Sequence, residues 1–201
     1  MQIGPRYKKA RYLGTPVFRK TQTQKYAIRA QRKQKTTGRK RAKSEYGRQL
    51  LEKQKARYSY GVSSGQFTNY VRKALQDEGD NAKNLIRALE ARLDNVTVRA
   101  GFAPTRSAAR QMVSHGHLVV NGIRVTIPSY SVKVGDKIAI RGGSQKKATF
   151  ANLSETLLNT KTPAWMKVDP EAKEIKIEGE PSADATDLLF DLRSVLEFYT
   201  R

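Results

Sequence analysis

Two histidines, His115 and His117, are the residues whose type and spacing most suggest a metal site. An H-x-H pair supplies at most two ligands, and the chain has no cysteine and no carboxylate near the pair to complete a zinc site. A lone carboxylate, Asp94, stands beside Asn95, where its expected role is helix capping or an ion pair with an arginine such as Arg99, not general base catalysis. The sequence therefore predicts no metal, no cofactor and no catalytic residue.

The motifs of the common enzyme classes are also missing from the sequence. There is no P-loop, no G-x-G-x-x-G on a strand-to-helix turn, no nucleophile elbow and no H-E-x-x-H pattern. The run Gly142-Gly143-Ser144 is interpreted as a linker and not as a phosphate-binding loop. We therefore expect that the protein is not an enzyme.

The chain carries a large positive charge. Its 201 residues include 39 Lys and Arg against 18 Asp and Glu, so the formal net charge is +21. A surface this positive repels itself and needs a polyanion to neutralise it, and nucleic acid is the first candidate. A membrane surface is the second, but the sequence has neither an apolar run long enough to span a bilayer nor a basic amphipathic anchor, so we expect no membrane partner. A basic protein that is merely soluble is the remaining alternative.

The charge is distributed unevenly along the chain. Residues 1–60 hold 19 Lys and Arg and 2 acidic residues, whereas residues 151–201 hold 6 and 10. A basic block of this kind cannot pack against itself without counter-charge, so we expect it to be an arm that orders on RNA. Residues 91–150 hold 10 basic and 2 acidic residues, which favours RNA contact over a solvated surface, where the two signs normally mix.

Hydrophobic periodicity and turn residues predict the elements that position these charges. Residues 1–42 show little periodicity and are broken by glycine and proline, which predicts an irregular basic N-terminal arm. Apolar stripes at helical spacing predict a helical subdomain over residues 43–91, completed by a C-terminal helix in residues 182–201 that docks on it. Residues 92–181 alternate short helices and strands, with an Asn-Gly hairpin signal at residues 121–122, and predict an inserted α/β RNA-binding module with a small antiparallel sheet. The predicted fold class is therefore α+β.

One face of this module is predicted to contact RNA. Arg106 and Arg110 are four residues apart in a predicted helix, so they project from the same face. We expect three further residues to line that face, namely Arg92, Arg99 and His115.

Several segments of the chain resemble one family of ribosomal proteins. The stretch LEARLDNV, residues 89–96, and the later RAGFAPTRSAARQMVSHGHLVVNGIRVTIPSYSVKVGD closely resemble small-subunit ribosomal protein four of bacteria and organelles. The segments SEYGRQLLEKQKARYSYGVSSGQFTNYVRKA and FDLRSVLEFYTR are similar to the helical region and the C-terminal helix of that family, and GPRYKKARYLG is similar to its start. The resemblance covers nearly the whole chain in the same order, and the block from Arg92 to Asp136 is its most specific part.

The resemblance implies a structural protein of the small ribosomal subunit. Family members bind the 5′ domain of small-subunit ribosomal RNA at a multi-helix junction, nucleate assembly of the subunit body and contribute to decoding accuracy with neighbouring protein five. Their basic N-terminal part lies near the channel through which messenger RNA enters, and some repress translation of their own message. We therefore expect ribosomal RNA, messenger RNA and neighbouring ribosomal proteins as partners. The start of the chain has no apolar core of a secretory signal, so the expected location is a ribosome in the cytoplasm or in an organelle.

Carried onto this chain residue by residue, the resemblance implies a larger RNA-binding set. In the α/β module it adds Asn95 and Ser114, and at the start of the helical region it adds Arg39, Lys40, Arg41 and Lys43. Many family members bind zinc through four cysteines in the N-terminal part, whereas this chain has none, and its KTTGRKRAKS stretch lacks the Pro-Gly-x-His-Gly turn common there. We therefore expect RNA and packing alone to order the N-terminal part.

Two other functions share some of these features. An RNA-modifying enzyme could use a similar module, as pseudouridine synthases and tyrosyl-transfer-RNA synthetases do, but the residues outside 92–181 show no catalytic constellation. A free RNA chaperone or assembly factor could share the fold. The long basic arm and the full-length resemblance favour a ribosomal component, and abundant free protein away from ribosomes would reverse that preference.

Overall fold

The computed structural model describes residues 3–36, 44–184 and 187–200. Helices and one five-stranded antiparallel sheet make up these ranges, which confirms the predicted α+β fold class. No helix in the described part of the chain combines the length and the apolar character needed to cross a membrane.

Contacts divide the chain into two compact units. The first comprises Met1–Ala82 together with Asp184–Arg201, and the second comprises Lys83–Ala183. The first unit is helical, and the second contains the sheet and the helices that pack on it. The two ends of the chain therefore belong to the same unit.

The N-terminal part of the first unit is helical rather than irregular. It contains helix α1 (Arg6–Leu13), a 3-10 turn (Arg19–Thr21) and helix α2 (Gln24–Thr36). These segments correct the prediction of an irregular arm for residues 3–36, and the remainder of residues 1–42 lies outside the described residues. Within the described residues, the glycine and proline residues that suggested an irregular chain lie outside the helices, where Gly14 ends α1 in the left-handed conformation at φ +71°. The helical runs themselves contain no glycine or proline.

Helices α3 (Glu45–Tyr60) and α4 (Ser64–Gln76) follow, and both start where the sequence predicts. The Ser44 hydroxyl accepts a hydrogen bond from the backbone N–H of Gly47 at 3.2 Å, so it caps the first turn of α3. Gly61 ends that helix, as its position predicts. A small apolar core joins Leu13 at the end of α1, Val17 in the segment after it and Leu51 of α3.

The second unit contains most of α5, three further helices and the sheet. The helices are α5 (Asn81–Glu90), α6 (Leu93–Arg99), α7 (Arg106–Ser114) and α8 (Leu153–Leu158). The strands are β1 (Leu118–Val120), β2 (Ile123–Arg124), β3 (Lys137–Ile140), β4 (Met166–Asp169) and β5 (Glu174–Ile177). Their order in the sheet is β2-β1-β3-β5-β4, and every neighbouring pair is antiparallel.

The β1–β2 hairpin and the core of this unit follow from local sequence patterns. Asn121 and Gly122 join the two strands with φ values of +50° and +80°, as a type I′ turn requires. Alternating residues of the strands, such as Leu118, Ile138 and Ile175, are buried. They form one apolar core with side chains of α6, α7 and α8, so the sheet supports the two helices that carry the predicted RNA-binding residues.

Helix α9 (Leu192–Thr200) completes the first unit by packing on α3 and α4. The Phe67 and Tyr199 rings are 6.3 Å apart, and the Tyr199 hydroxyl lies 3.1 Å from the Thr68 hydroxyl. The C-terminal helix predicted within residues 182–201 starts at Leu192, where Asp191 caps its first turn. Its carboxylate accepts from the backbone N–H of Arg193 at 3.0 Å.

Candidate nucleic-acid interface

Five of the predicted RNA-binding residues lie in two adjacent hydrogen-bonded clusters at α6 and α7, which together are called the acid–arginine network. Arg92 immediately precedes α6, Asn95 and Arg99 lie on that helix, and Arg106 and Arg110 lie on α7. The helices pack against each other. Two buried carboxylates organise the network.

Asp94 holds two of the arginines. Arg92 donates to it from Nε at 3.0 Å and from Nη2 at 2.9 Å, which is a two-pronged ion pair. Arg110, from α7, donates to Asp94 Oδ2 from Nε at 3.0 Å and from Nη2 at 2.7 Å. Arg92 is only 2% exposed and Asp94 is also buried, so removal of the carboxylate would leave a buried guanidinium without its counter-charge.

Glu90, the last residue of α5, positions the other two arginines, Arg99 and Arg106. Arg99 donates to it from Nε at 3.1 Å and from Nη2 at 3.0 Å. The Asn95 side-chain amide donates to Glu90 Oε2 at 2.6 Å, and this orients the Asn95 carbonyl oxygen to accept from Arg106 Nε at 2.8 Å. Glu90 is 0% exposed, so it fixes Arg99 directly and Arg106 through Asn95.

The two carboxylates are therefore buried, whereas part of the guanidinium surface is exposed to solvent. The side chains of Arg99 and Arg110 are 23% and 25% exposed, and Arg106 is half-buried. The acid–arginine network contains four guanidinium groups and two carboxylates, so it carries an excess of two positive charges. A guanidinium is planar and always charged, so this arrangement presents oriented cationic groups at a surface where no acidic oxygen of the two clusters is exposed.

The partner expected for Asp94 was wrong, although the kind of interaction was right. Arg99 is five positions after Asp94, which places it on a different side of α6, and it pairs with Glu90 instead. Sequence reasoning also missed Glu90. Its position in the LEARLDN run between arginines and leucines was the available signal, because a charged residue in an apolar helix stripe needs a partner when it is buried.

The remaining predicted residues differ in their placement. Ser114 and His115 are exposed at the end of α7. Arg92 and Asn95 are buried, so their side chains hold neighbours in place instead of presenting groups to solvent. Four residues of the predicted set lie outside the described residues, namely Arg39, Lys40, Arg41 and Lys43.

A second group of cations surrounds the histidine pair. The rings of His115 and His117 are 5.9 Å apart, and His117 Nδ1 lies 3.0 Å from the Ser144 hydroxyl. Burial lowers the pKa of His117 below its ordinary value of 6.5, and the positive charges of several neighbours lower it further; these are Lys147, His115, Arg141 and Arg124. No cluster of three or more His, Cys, Asp or Glu suited to a metal occurs among the described residues.

The sequence did not predict that Arg124 belongs to this group of cations. Its side chain lies over Gly116, since a Cβ atom there would come within 2.1 Å of Arg124 Nε. Its Nη2 also donates to the His115 carbonyl at 3.4 Å. Arg124 is exposed in β2, so it adds a cation close to the end of α7.

Two family profiles match the chain. Residues 2–90 match the profile described as the Ribosomal protein S4/S9 N-terminal domain, and residues 91–138 match the S4 domain. The second match contains α6, α7, β1 and β2, and Glu90 is the last residue of the first match. The boundary between the two profiles thus falls within the acid–arginine network.

Proteins named small ribosomal subunit protein uS4 are similar to the chain over most of its length. The relative from Roseiflexus castenholzii (strain DSM 13941 / HLO8) is 41% identical over 206 residues, which cover 99% of this chain and 98% of the relative. The relative from Roseiflexus sp. (strain RS-1) is 44% identical over 167 residues, covering 82% and 81%. The relative from Nocardia farcinica (strain IFM 10152) is 44% identical over 165 residues, covering 82% of each.

Proposed function

Because the chain belongs to the uS4 family of small ribosomal subunit proteins, we propose that its α6–α7 face binds ribosomal RNA. Membership of this family makes the chain a structural, RNA-binding component of the small ribosomal subunit and not an enzyme. The proposal assigns that binding to particular residues. Arg99, Arg106 and Arg110 contact phosphates, and Ser114 and His115 extend the contact surface.

The burial of both acidic groups beneath partly exposed arginines is the observation that supports this assignment. An exposed carboxylate would repel a phosphate, whereas Glu90 and Asp94 are enclosed and act only on the arginines. The ion pairs hold the guanidinium planes in place before RNA arrives, so little side-chain entropy is lost on binding. Arg92 and Asn95 act in this scheme as positioning residues.

The mode of recognition follows from the groups available. Guanidinium groups bind phosphate through two parallel hydrogen bonds, and such contacts carry no base sequence. The deep, narrow major groove of an RNA helix excludes side chains, so a protein of this kind recognises the shape of a junction and its unpaired nucleotides. Residues 92–181 form the RNA-binding module in this proposal, and Arg39, Lys40, Arg41 and Lys43 add contacts from the N-terminal side.

Finer roles come from the family resemblance. We propose that the chain binds the junction in the 5′ domain early, nucleates assembly of the subunit body and, with neighbouring protein five, contributes to decoding accuracy. The C-terminal strands and helix face that protein neighbour, because residues 151–201 hold more acidic than basic residues. The basic N-terminal region lies near incoming messenger RNA.

The assignment is tested by measuring affinity for a transcript of the small-subunit 5′ domain at a series of KCl concentrations. The double variant Arg106→Ala/Arg110→Ala should bind more weakly, and the slope of log affinity against log salt should fall by up to about two units. A matched control, Lys167→Ala/Arg193→Ala, removes two exposed cations from the C-terminal third and should leave the slope unchanged. An equal slope in wild type and the α7 variant would remove these two arginines from the RNA-binding face.

Cosedimentation separates a ribosomal component from a free assembly factor. Family membership leads us to expect the protein to migrate with the small subunit in a sucrose gradient of cell lysate, at low and at moderate salt. Migration only with precursor particles, or as free protein, would contradict a stoichiometric role.

A further inference from the structure

A cleft of about 450 Å³ lies in the first unit between α1 and α3. Its volume is within the roughly 300–1,000 Å³ typical of small-molecule sites. The residues that line the cleft are different from those of the α6–α7 face, and the proposed RNA contacts of that face do not involve the cleft.

The cations that line the cleft are held in place by one aromatic ring. The Lys9 ammonium lies 4.8 Å from the centre of the Tyr58 ring, and the Arg57 guanidinium carbon lies 4.5 Å from it. The Phe18 ring packs against Tyr58 edge to face at 5.9 Å. Lys8 also lines the cleft, whereas none of its lining residues is acidic. The potential inside is therefore positive, which suits an anionic ligand.

Two buried polar atoms of α3 lack partners at the same place. Gln54 Oε1 and Arg57 Nε are buried and make no hydrogen bond within the described part of the chain, and both residues line the cleft. They are three positions apart, so they lie on the same side of the helix. A buried group without a partner destabilises a protein, and such atoms call for an explanation. One acceptor and one donor on the same side of α3 are thus left for a ligand that offers the complementary pair, and because both atoms are enclosed, the two side chains turn towards the cleft to meet it.

The rest of the cleft is mainly apolar. Leu13 and Leu50 are among its lining residues, and so is Tyr12, which is 62% exposed. A flat apolar ring would pack on these side chains. The site thus combines an apolar slot, a donor–acceptor pair and cations at one place.

We propose that the cleft binds a single unstacked nucleotide of the RNA strand. The base inserts between Leu50 and Tyr12, its polar edge donates to Gln54 Oε1 and accepts from Arg57 Nε, and its phosphate lies by Lys8 and Lys9. Every nucleobase carries a donor next to an acceptor on its pairing edge, and unstacked bases are commonly bound in this way by proteins. The proposal rests on the ribosomal RNA-binding function, and adds to it a nucleotide site distinct from the α6–α7 face.

The test uses the full chain and two synthetic RNA hairpins that differ in one nucleotide. One hairpin carries a single bulged 2-aminopurine, and the other is fully paired. Binding should change the fluorescence of the bulged base, and the bulged hairpin should bind about tenfold more tightly than the paired one, as expected for one stacked base. Equal affinities without a fluorescence change would overturn the proposal.

Gln54→Leu is the diagnostic variant, because it keeps the charge and the approximate size of the side chain while removing the unpaired acceptor. It should abolish most of the preference for the bulge, yet leave the thermal unfolding temperature unchanged or raise it. The matched control Gln76→Leu alters an exposed residue of α4 and should keep the preference. A loss of preference accompanied by lower stability, or an identical loss in both variants, would contradict the proposed site.

Two further comparisons distinguish a site for an RNA nucleotide from a site for free nucleotides and from nonspecific RNA binding. Free adenosine monophosphate, at the concentration of the hairpin, should not displace the bulged RNA; displacement would assign the cleft to free nucleotides. If both hairpins bind equally and with strong salt dependence, the cleft proposal fails while RNA binding stands. If the 5′ domain transcript does not bind at all, the proposed function itself fails.

Discussion

At the scale of single residues, two buried acids determine how the basic residues of α6 and α7 behave. Isolated arginines on a helix surface would be mobile, and each would contribute only a diffuse positive charge. Glu90 and Asp94 make ion pairs with several of them below the surface, so the directions of the guanidinium groups are set by the fold. In the proposed interface, the acids therefore contribute to RNA binding without any contact with RNA.

Glu90→Gln tests this role, because the substitution raises the net positive charge by one. If charge alone governed binding, the variant would bind RNA more tightly. We expect weaker binding, because Arg99 loses its counter-charge and one side-chain oxygen that accepts hydrogen bonds becomes an NH2 donor. We also expect a loss of about 3 kcal/mol in the free energy of unfolding. Urea denaturation and RNA titration measure the two effects.

Glu171→Gln is the matched control, since it makes the same charge change at an exposed residue of the β4–β5 turn. Its stability should stay within about 0.5 kcal/mol of wild type. Tighter RNA binding by Glu90→Gln than by the control would show that the buried ion pairs do not orient the arginines.

His117 should make stability depend on pH. Burial and neighbouring positive charges lower the pKa of His117 in the folded state, so the unfolded chain binds the proton more readily. Its stabilising contribution is complete above the ordinary pKa of 6.5 and is lost as the pH falls through that value towards the lower folded one. The free energy of unfolding should therefore decrease between about pH 7.5 and pH 5, and should decrease less in His117→Gln. Parallel pH profiles from urea denaturation would contradict this assignment.

At the scale of elements, short helices depend on their neighbours. Helices of seven to nine residues, such as α6, α7 and α9, are too short to be stable alone and form because one face of each is buried. The arginine network adds cross-links between α5, α6 and α7 that apolar packing does not provide. The geometry of the candidate interface is thus a property of three helices together.

The docking of α9 gives an element-scale prediction. Val195 is fully buried where α9 packs within the first unit, and truncation to alanine removes two buried methyl groups. Val195→Ala should lower the free energy of unfolding by about 2 kcal/mol. The same substitution at the exposed Val134 should change it by less than about 0.5 kcal/mol. Equal effects, measured by chemical denaturation, would mean that α9 does not contribute to the stability of the folded unit.

At the scale of the whole molecule, the positive charge sets the strength of RNA binding and its dependence on salt. An excess of 21 positive charges, most of it in the first 60 residues, favours many phosphate contacts. Six to ten such contacts would give a slope of log affinity against log salt of roughly −4 to −9. A titration of the 5′ domain transcript at several salt concentrations measures this slope. Thermal unfolding at the same concentrations is the control for loss of structure, and a slope shallower than about −2 would contradict a phosphate-dominated interface.

Patterns within a few residues along the chain were sufficient for much of the fold. The Asn-Gly turn between β1 and β2 is a local signal, and the structure bears it out. The Ser44 cap of α3 and the alternating burial in β5 depend on equally local patterns. The N-terminal helices were missed because their glycine and proline residues mark helix ends, and these are indistinguishable from loop residues when no apolar stripe is visible. Basic and other polar residues interrupt the apolar residues of α1 and α2, so periodicity carried no signal there.

The sequence by itself determined the α+β class, the positive charge and the family resemblance, because composition, short-range periodicity and a long specific motif are all read along the chain. Only the tertiary structure decided which acid holds which arginine, that Arg92 and Asn95 are buried, and that α1 and α3 enclose a cleft with an unpaired donor and acceptor. The physical reason is distance. Arg92 and Asp94 are two positions apart, but the Glu90–Arg99 and Asp94–Arg110 pairs and the walls of the cleft join side chains of different helices, which meet only when those helices pack. No local pattern specifies that meeting.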